Sequence, residues 1–413
     1  MEWSRLDLGV GVIALGALDQ LWSGIEDLVD VVEVEPQTLW ESRFGGGQVM
    51  SPEPLAWLRA CGRPLLAHGV GFPVGGTTAP DQGGMVASAQ SARTLGAVHW
   101  SEHLAFNAAG DDYAGFLLPP VQSAEGVAAA VGHITAYQRL FERPFLVETP
   151  TNYLQPVPGD LGDGEYVAAI AEEADCGILL DLHNIWTNER NGRQSVEDFL
   201  AALPLERVWE VHLAGGFETG GFYLDAHVGP IDPELLELAA AVVPRLPRVR
   251  AVIYEAVPAS LAAQGVDGLR QVLASIHRII DLPAVMEAKA VIRERVSTSS
   301  AHDLRSTAQR EAELLAYTTR AGNDLSNPDP GADLIRALTD QSRLSLLVRQ
   351  HETTLGLLLT ALGIAQTEAV LTQFLTATPA SAWRDEQSRA FTTWLRTRPD
   401  LLELLENAGV TPG

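Results

Sequence analysis

Lysine and cysteine are almost missing from this chain. Of 413 residues only 2 are Cys, and Lys289 is the only lysine. Cys61 and Cys176 stand far apart in apolar surroundings, so a disulfide scaffold is excluded. They are expected as buried free thiols of a reducing compartment. No uninterrupted apolar run approaches the roughly 18 residues of a membrane span. The opening Met1-Glu-Trp-Ser-Arg-Leu-Asp lacks the basic and apolar regions of a secretory signal. A soluble cytoplasmic protein without a membrane partner is the expectation.

Positive charge is scarce as well. Residues 1–285 hold 15 Arg and no Lys against 37 Asp and Glu, a net of −22, whereas residues 286–413 are near balance at −3. A phosphate backbone would be repelled by the front region, so nucleic acid is not an expected partner. Such an acidic excess is either solvated surface or a set of clustered cation ligands.

What the chain does have is a strand–helix alternation. Val-, Ile- and Leu-rich runs recur at Leu6–Ile13, Val29–Glu35, Pro64–Val70, Ala97–His103, Pro144–Glu148, Cys176–Leu182, Arg207–Leu213 and Val249–Glu255. Between them lie Ala- and Leu-rich stretches with helical spacing, such as Ala124–Phe141, Gly164–Ala174, Val196–Leu203 and Pro233–Val243. Eight such units predict a (β/α)8 barrel over residues 1–285. An open doubly wound sheet is the alternative, but no G-x-G-x-x-G follows the first strand. Strand character stops after residue 285. Residues 286–325 are expected as a connecting helix, and residues 326–413 as a small all-α C-terminal domain of about four helices, opened by Ser326-Asn-Pro-Asp-Pro-Gly331.

The informative positions are the strand ends, where a barrel of this kind builds its active site. They read Glu35, His68, His103, Glu148, Asp181, His212 and Glu255, with Asp225 and His227 in the loop after the seventh strand. One such residue has an ordinary reading as a hydrogen-bonded polar group; seven strands of eight do not. So many carboxylates in one place repel each other unless cations neutralise them, which predicts more than one metal ion. Neither Cys falls at a strand end. Mixed imidazole and carboxylate suits iron, manganese or catalytic zinc rather than calcium or magnesium.

The segments His68-Gly-Val-Gly-Phe, Ser101-Glu-His-Leu-Ala-Phe, Glu148-Thr-Pro-Thr-Asn-Tyr-Leu, Leu180-Asp-Leu-His-Asn-Ile, Glu210-Val-His-Leu-Ala-Gly and Asp225-Ala-His closely resemble the multinuclear non-heme iron-dependent oxidative enzymes, relatives of the methanobactin-biosynthesis oxidase. The resemblance covers about residues 6–258. It implies a barrel holding two or three irons of mixed Fe2+/Fe3+ valence, with dioxygen as co-substrate. It also implies a ribosomally made precursor peptide, often modified at cysteine, and a fused or separate recruiting partner, a use open to residues 326–413. By position it implies the ligands His68, His103, Glu148, Asp181, Asn184, His212, Asp225, His227 and Glu255, with Glu148 as the bridge. Asn152 and Tyr153 are implied as cavity-wall residues that contact substrate. The chain departs from the family pattern at His183 (usually Asn), at Gly216 (often His), at Thr149 (usually Asn) and at Glu35-Pro-Gln37. His183 and Tyr153 are therefore the candidates for a catalytic role beyond the ligands. The rival reading is a non-redox zinc or manganese barrel enzyme of sugar isomerase or phosphodiesterase type.

Overall fold

The computed structural model describes residues 4–16, 18–42, 48–285, 305–320, 325, 329–381 and 384–407. Eight parallel strands close into a barrel: β1 (Gly9–Ile13), β2 (Val31–Val34), β3 (Leu65–Gly69), β4 (Trp100–His103), β5 (Phe145–Glu148), β6 (Gly177–Asp181), β7 (Val208–Ala214) and β8 (Ala251–Glu255). Each pairs with its sequence neighbours and β8 pairs back to β1. All eight expected strands are present, and the fold is a (β/α)8 barrel with a helical C-terminal region.

A strand's side chains alternate between faces, and here the two faces do different work. Val10, Val12, Val32, Val34, Ala67, Val147, Ile178, Leu180, Val211, Leu213, Val252 and Tyr254 belong to the large apolar layer between barrel and helices. Val31, Leu66, Ala251 and Ile253 belong to a separate small cluster that closes one end of the interior. Above that plug the inward positions turn polar. Register then levels the ring: His103 lies opposite Glu148, and Asp181 opposite His212.

Three short hairpins not expected from the sequence decorate the barrel: Trp40–Ser42 with Gln48–Met50, Phe106–Ala109 with Asp112–Leu118, and Phe217–Thr219 with Phe222–Leu224. Each is a pair of strands of 3 to 7 residues inside a βα loop, too brief to show a clear period. Cys176 is buried as expected, whereas Cys61 is only half-buried, its thiol donating to the Leu58 carbonyl at 2.8 Å.

Of the expected connecting helix, Thr307–Thr318 is observed, opened by a capping box between Ser306 and Gln309; residues 286–304 and 321–324 lie outside the described residues. Among the described residues five helices follow rather than about four, Pro330–Gln350, Glu352–Leu362, Ile364–Ala377, Arg384–Leu395 and Pro399–Asn407. Gly363, at φ +75, breaks one from the next, and Pro399 starts the last. Leu347, Leu358, Phe374, Phe391, Leu395 and Leu405 give this region its own core.

The first two of these helical pieces belong to the barrel as much as to the extension. Leu314, Leu315, Ala332 and Ile335 share one apolar cluster with Phe106, Leu118, Tyr153 and Leu224 of the loops over the barrel mouth. A Cβ on Gly331 would stand 2.0 Å from the Tyr153 carbonyl oxygen, so only glycine lets the Pro330–Gln350 helix approach this closely. Arg310 grips Asp160 with two bonds of 2.8 and 2.6 Å. The fully buried Glu311 accepts from the Thr77 amide at 2.9 Å and from its hydroxyl.

Glu311→Ala leaves both Thr77 donors without their acceptor in a closed interface. The expected cost is about 1–3 kcal/mol, read as a lower urea midpoint of the full chain; an unchanged midpoint contradicts the latch.

Candidate metal centre

The C-terminal ends of β3, β4 and β5 bring His68, His103 and Glu148 within ligand distance of one ion. His103 Nε2 lies 3.1 Å and His68 Nε2 3.4 Å from the same Glu148 oxygen, Oε2. The other ring nitrogens are engaged, His103 Nδ1 with the Gly69 carbonyl and His68 Nδ1 with the Ser101 hydroxyl, each at 2.8 Å. A proton fixed on Nδ1 leaves Nε2 bare, the form a metal needs.

A second group joins Glu148, Asp181, His212 and Glu255 from β5 to β8. His212 Nδ1 is 3.2 Å from Glu255 and 3.9 Å from the remaining Glu148 oxygen, Oε1. The two Glu148 oxygens thus face two different groups of candidate ligands, so this carboxylate could be shared by two ions. Beside Glu255 stand Asp225 and His227: His227 Nε2 is 2.8 Å from Asp225 and 3.6 Å from Glu255. His227 takes φ +52, a conformation a non-glycine residue adopts at a cost of order 1 kcal/mol. The loop accepts this strain to aim that imidazole inward.

Burial without counter-charge shows in the titration behaviour. Burial pushes the Glu148 carboxyl up to about 8 against the pull of His103 and His212. Burial and the repulsion of Asp225 and Glu255 raise Asp181 to about 6, and burial with Glu255 raises Glu35 to about 7. Burial works against a charge on His103, yet Glu148 and Glu102 outweigh it and lift the ring to about 10. These are the distortions expected where carboxylates and imidazoles crowd into one dry space.

The donor set fits metal ions on an independent ground. Among the described residues Glu148 Oε2, Asp181 Oδ2, His212 Nδ1 and His227 Nε2 are buried without an aligned hydrogen-bond partner. Buried polar atoms are rarely left so; here they converge.

The remaining expected residues divide. Asn184 sits on the helix Leu182–Arg190, capped by Asp181, with its amide engaged by the Thr149 carbonyl and the Thr151 hydroxyl. Thr151 also reaches Asp225 Oδ2 at 3.2 Å, so Asn184 adjoins the centre through it. Tyr153 is buried, and its hydroxyl accepts from the Asp225 amide at 3.0 Å. Asn152 faces elsewhere: it lines a cavity of about 120 Å³ between rim and extension, with Gln122, Arg193, Arg310 and Leu314 among its walls. Thr149 ties β5 to β6, its hydroxyl accepting from the Asp181 amide at 2.9 Å. His183 is fully buried and turned to Asp225, with Nδ1 3.0 Å from Oδ1. A Cβ at Gly216 would lie 3.0 Å from His183 Nε2, so the bare glycine leaves room for this ring.

Sequence reasoning missed a lower tier. Glu33 and Glu210 are fully buried and group with His212, and His99 Nε2 meets Glu210 at 2.7 Å. Their signal was available. Glu33 and Glu210 precede Glu35 and His212 by two positions and His99 precedes His103 by four, so a period of two puts each on the same inward face.

The family described as RiPP precursor modification enzyme MbnB/TglH/ChrH matches residues 15–257. A UPF0276 protein of Chromobacterium violaceum is 30% identical over 224 residues, which cover 52% of this chain and 79% of that protein. Another, from Pseudomonas aeruginosa, is 32% identical over 228 residues, 54% of this chain and 76% of that one. Among solved structures, a xylose isomerase domain containing protein from Salmonella typhimurium is similar at 13% identity and a TM-score of 0.46, over 68% of this chain and 99% of that one. Matched from just past β1 to just past Glu255, the chain belongs to the MbnB/TglH/ChrH family of enzymes that modify RiPP precursors, ribosomally made peptides altered after synthesis.

Proposed function

We propose that this protein is a dioxygen-dependent multinuclear iron enzyme that oxidatively modifies a side chain, often cysteine, of a ribosomally made precursor peptide. The observation that supports this most is the convergence, at the barrel mouth, of buried imidazole and carboxylate atoms from neighbouring strands that complete no aligned hydrogen bond. His68, His103 and Glu148 would hold one ion. Glu148, Asp181, His212 and Glu255 would hold a second, and Asp225 and His227, with Asn184 beside them, would complete the set. Iron, when bound, supplies one-electron redox chemistry and reactivity towards dioxygen.

The chain's own groups prepare that chemistry. Leu314, Leu315 and Ile335 close with Tyr153 and Leu224 over the mouth and exclude water there. Tyr153 holds the Asp225 backbone through its hydroxyl, and its ring meets Phe222 edge-on at 6.3 Å. His183, its Nδ1 tied to Asp225 and its Nε2 without a partner, is placed to take a proton from a bound substrate.

His68→Ala removes a donor to one ion, and Glu148→Ala removes one shared by both. Turnover is expected to be lost in each, with bound iron falling further in Glu148→Ala. Full iron and full activity in either variant contradict the assignment.

The helices from Glu352 to Asn407, which carry their own core, are the part we assign to peptide recruitment. Hydrogen exchange of the full chain with the precursor peptide is expected to show protection on those helices as well as at the barrel mouth. Protection confined to the mouth contradicts recruitment.

A further inference from the structure

Glu33 is wholly buried in the barrel interior, on β2, and neither of its oxygens completes an aligned hydrogen bond among the described residues. It faces one group closely: its Oε2 lies 3.0 Å from His212 Nε2. The His212 ring therefore separates two carboxylate tiers. Nδ1 looks to Glu255 and Glu148 at 3.2 and 3.9 Å, whereas Nε2 looks to Glu33 at 3.0 Å and Glu210 at 3.7 Å. Glu210 stands farther off, beyond hydrogen-bond reach at 3.7 Å, and its other oxygen meets His99 Nε2 at 2.7 Å.

A neutral imidazole carries one proton, and whichever nitrogen bears it cannot ligate. If Nδ1 is to serve the ion held with Glu148, Asp181 and Glu255, the proton must sit on Nε2 and needs an acceptor there. Ions on both nitrogens would require the ring to lose its last proton, so the lower tier suits a proton better than a cation. We propose that Glu33 is the positioning residue of the metal centre, accepting the Nε2 proton of His212 and so presenting a bare Nδ1 to the Glu148–Asp181–Glu255 ion. This rests on the metal-centre reading above. A carboxylate behind a ligating histidine typically accounts for 10–100-fold in metal affinity.

The test is a cobalt(II) titration of the metal-stripped full chain, read by visible ligand-field absorption and by competition with a chelator. In Glu33→Leu, one cobalt equivalent should weaken about 10–100-fold with an altered spectrum, while the equivalent at His68 and His103 keeps its affinity. In Glu33→Gln, whose amide oxygen still accepts a hydrogen bond, the loss should be intermediate. Metal-free Glu33→Leu should melt somewhat lower, because the His212 Nε2 proton loses its acceptor, whereas Glu33→Gln, which keeps one, should melt as the wild type does. Unchanged affinity and spectrum in both variants overturn the proposal. Equal weakening of every equivalent together with a lower melting temperature in both variants overturns it too, because that is a packing effect. Wild-type protein that takes up no cobalt removes the metal-centre reading, and this proposal with it.

Discussion

Everything at the mouth of this barrel follows from one electrostatic constraint. Glu148, Asp181, Glu255 and His212 are buried in one interior, with Glu33 and Glu210 directly beneath them. A buried charge is costly unless paired, and removing one partner of such a set leaves another exposed to that cost. Protonation is one escape, visible in the raised Glu148, Asp181 and Glu35 carboxyls. Divalent or trivalent cations are the other, and they would also engage the atoms that complete no aligned hydrogen bond.

The barrel makes the constraint bearable by rigidity. Parallel pairing levels His103 with Glu148 and Asp181 with His212, and these candidate ligands stand on strands whose outward faces are locked in the main apolar layer. Hydrogen bonds to the Gly69 carbonyl and the Ser101 hydroxyl then orient the His103 and His68 rings, and the Thr149 hydroxyl accepts from the Asp181 backbone amide. The extension adds closure. Glu311 on Thr77, Arg310 on Asp160 and Gly331 against Tyr153 clamp two helices over the same face. Those helices complete the site's walls, while the helices beyond them form a core of their own.

Much of this was legible in the residues. The eight strands follow from runs of Val, Ile and Leu, and the ring of donors from reading the C-terminal ends of seven of them. The hairpins were not legible, because five of their six strands have only three or four residues and leave no period to detect. The lower tier was hidden for a different reason. Glu33 within Val31-Val-Glu-Val34 looks like an interruption of an apolar strand, and its meaning appears only when the inward face is followed two residues below the rim. The family resemblance implies Asn152 as a cavity-wall residue, but its direction depends on the turn after β5 and on the extension, neither of which spacing reveals. The seat of His183 beside the side-chain-free Gly216 joins two departures from the family pattern, visible separately in the sequence and connected only in space.

The most direct test of the account is the metal content of the full chain purified without added metal, together with its visible absorption in air and after reduction. The account predicts two or three equivalents of iron and a charge-transfer band that bleaches on reduction. One or two equivalents of zinc or manganese, with no colour and no activity restored by iron, would contradict it and return the barrel to isomerase or hydrolase chemistry.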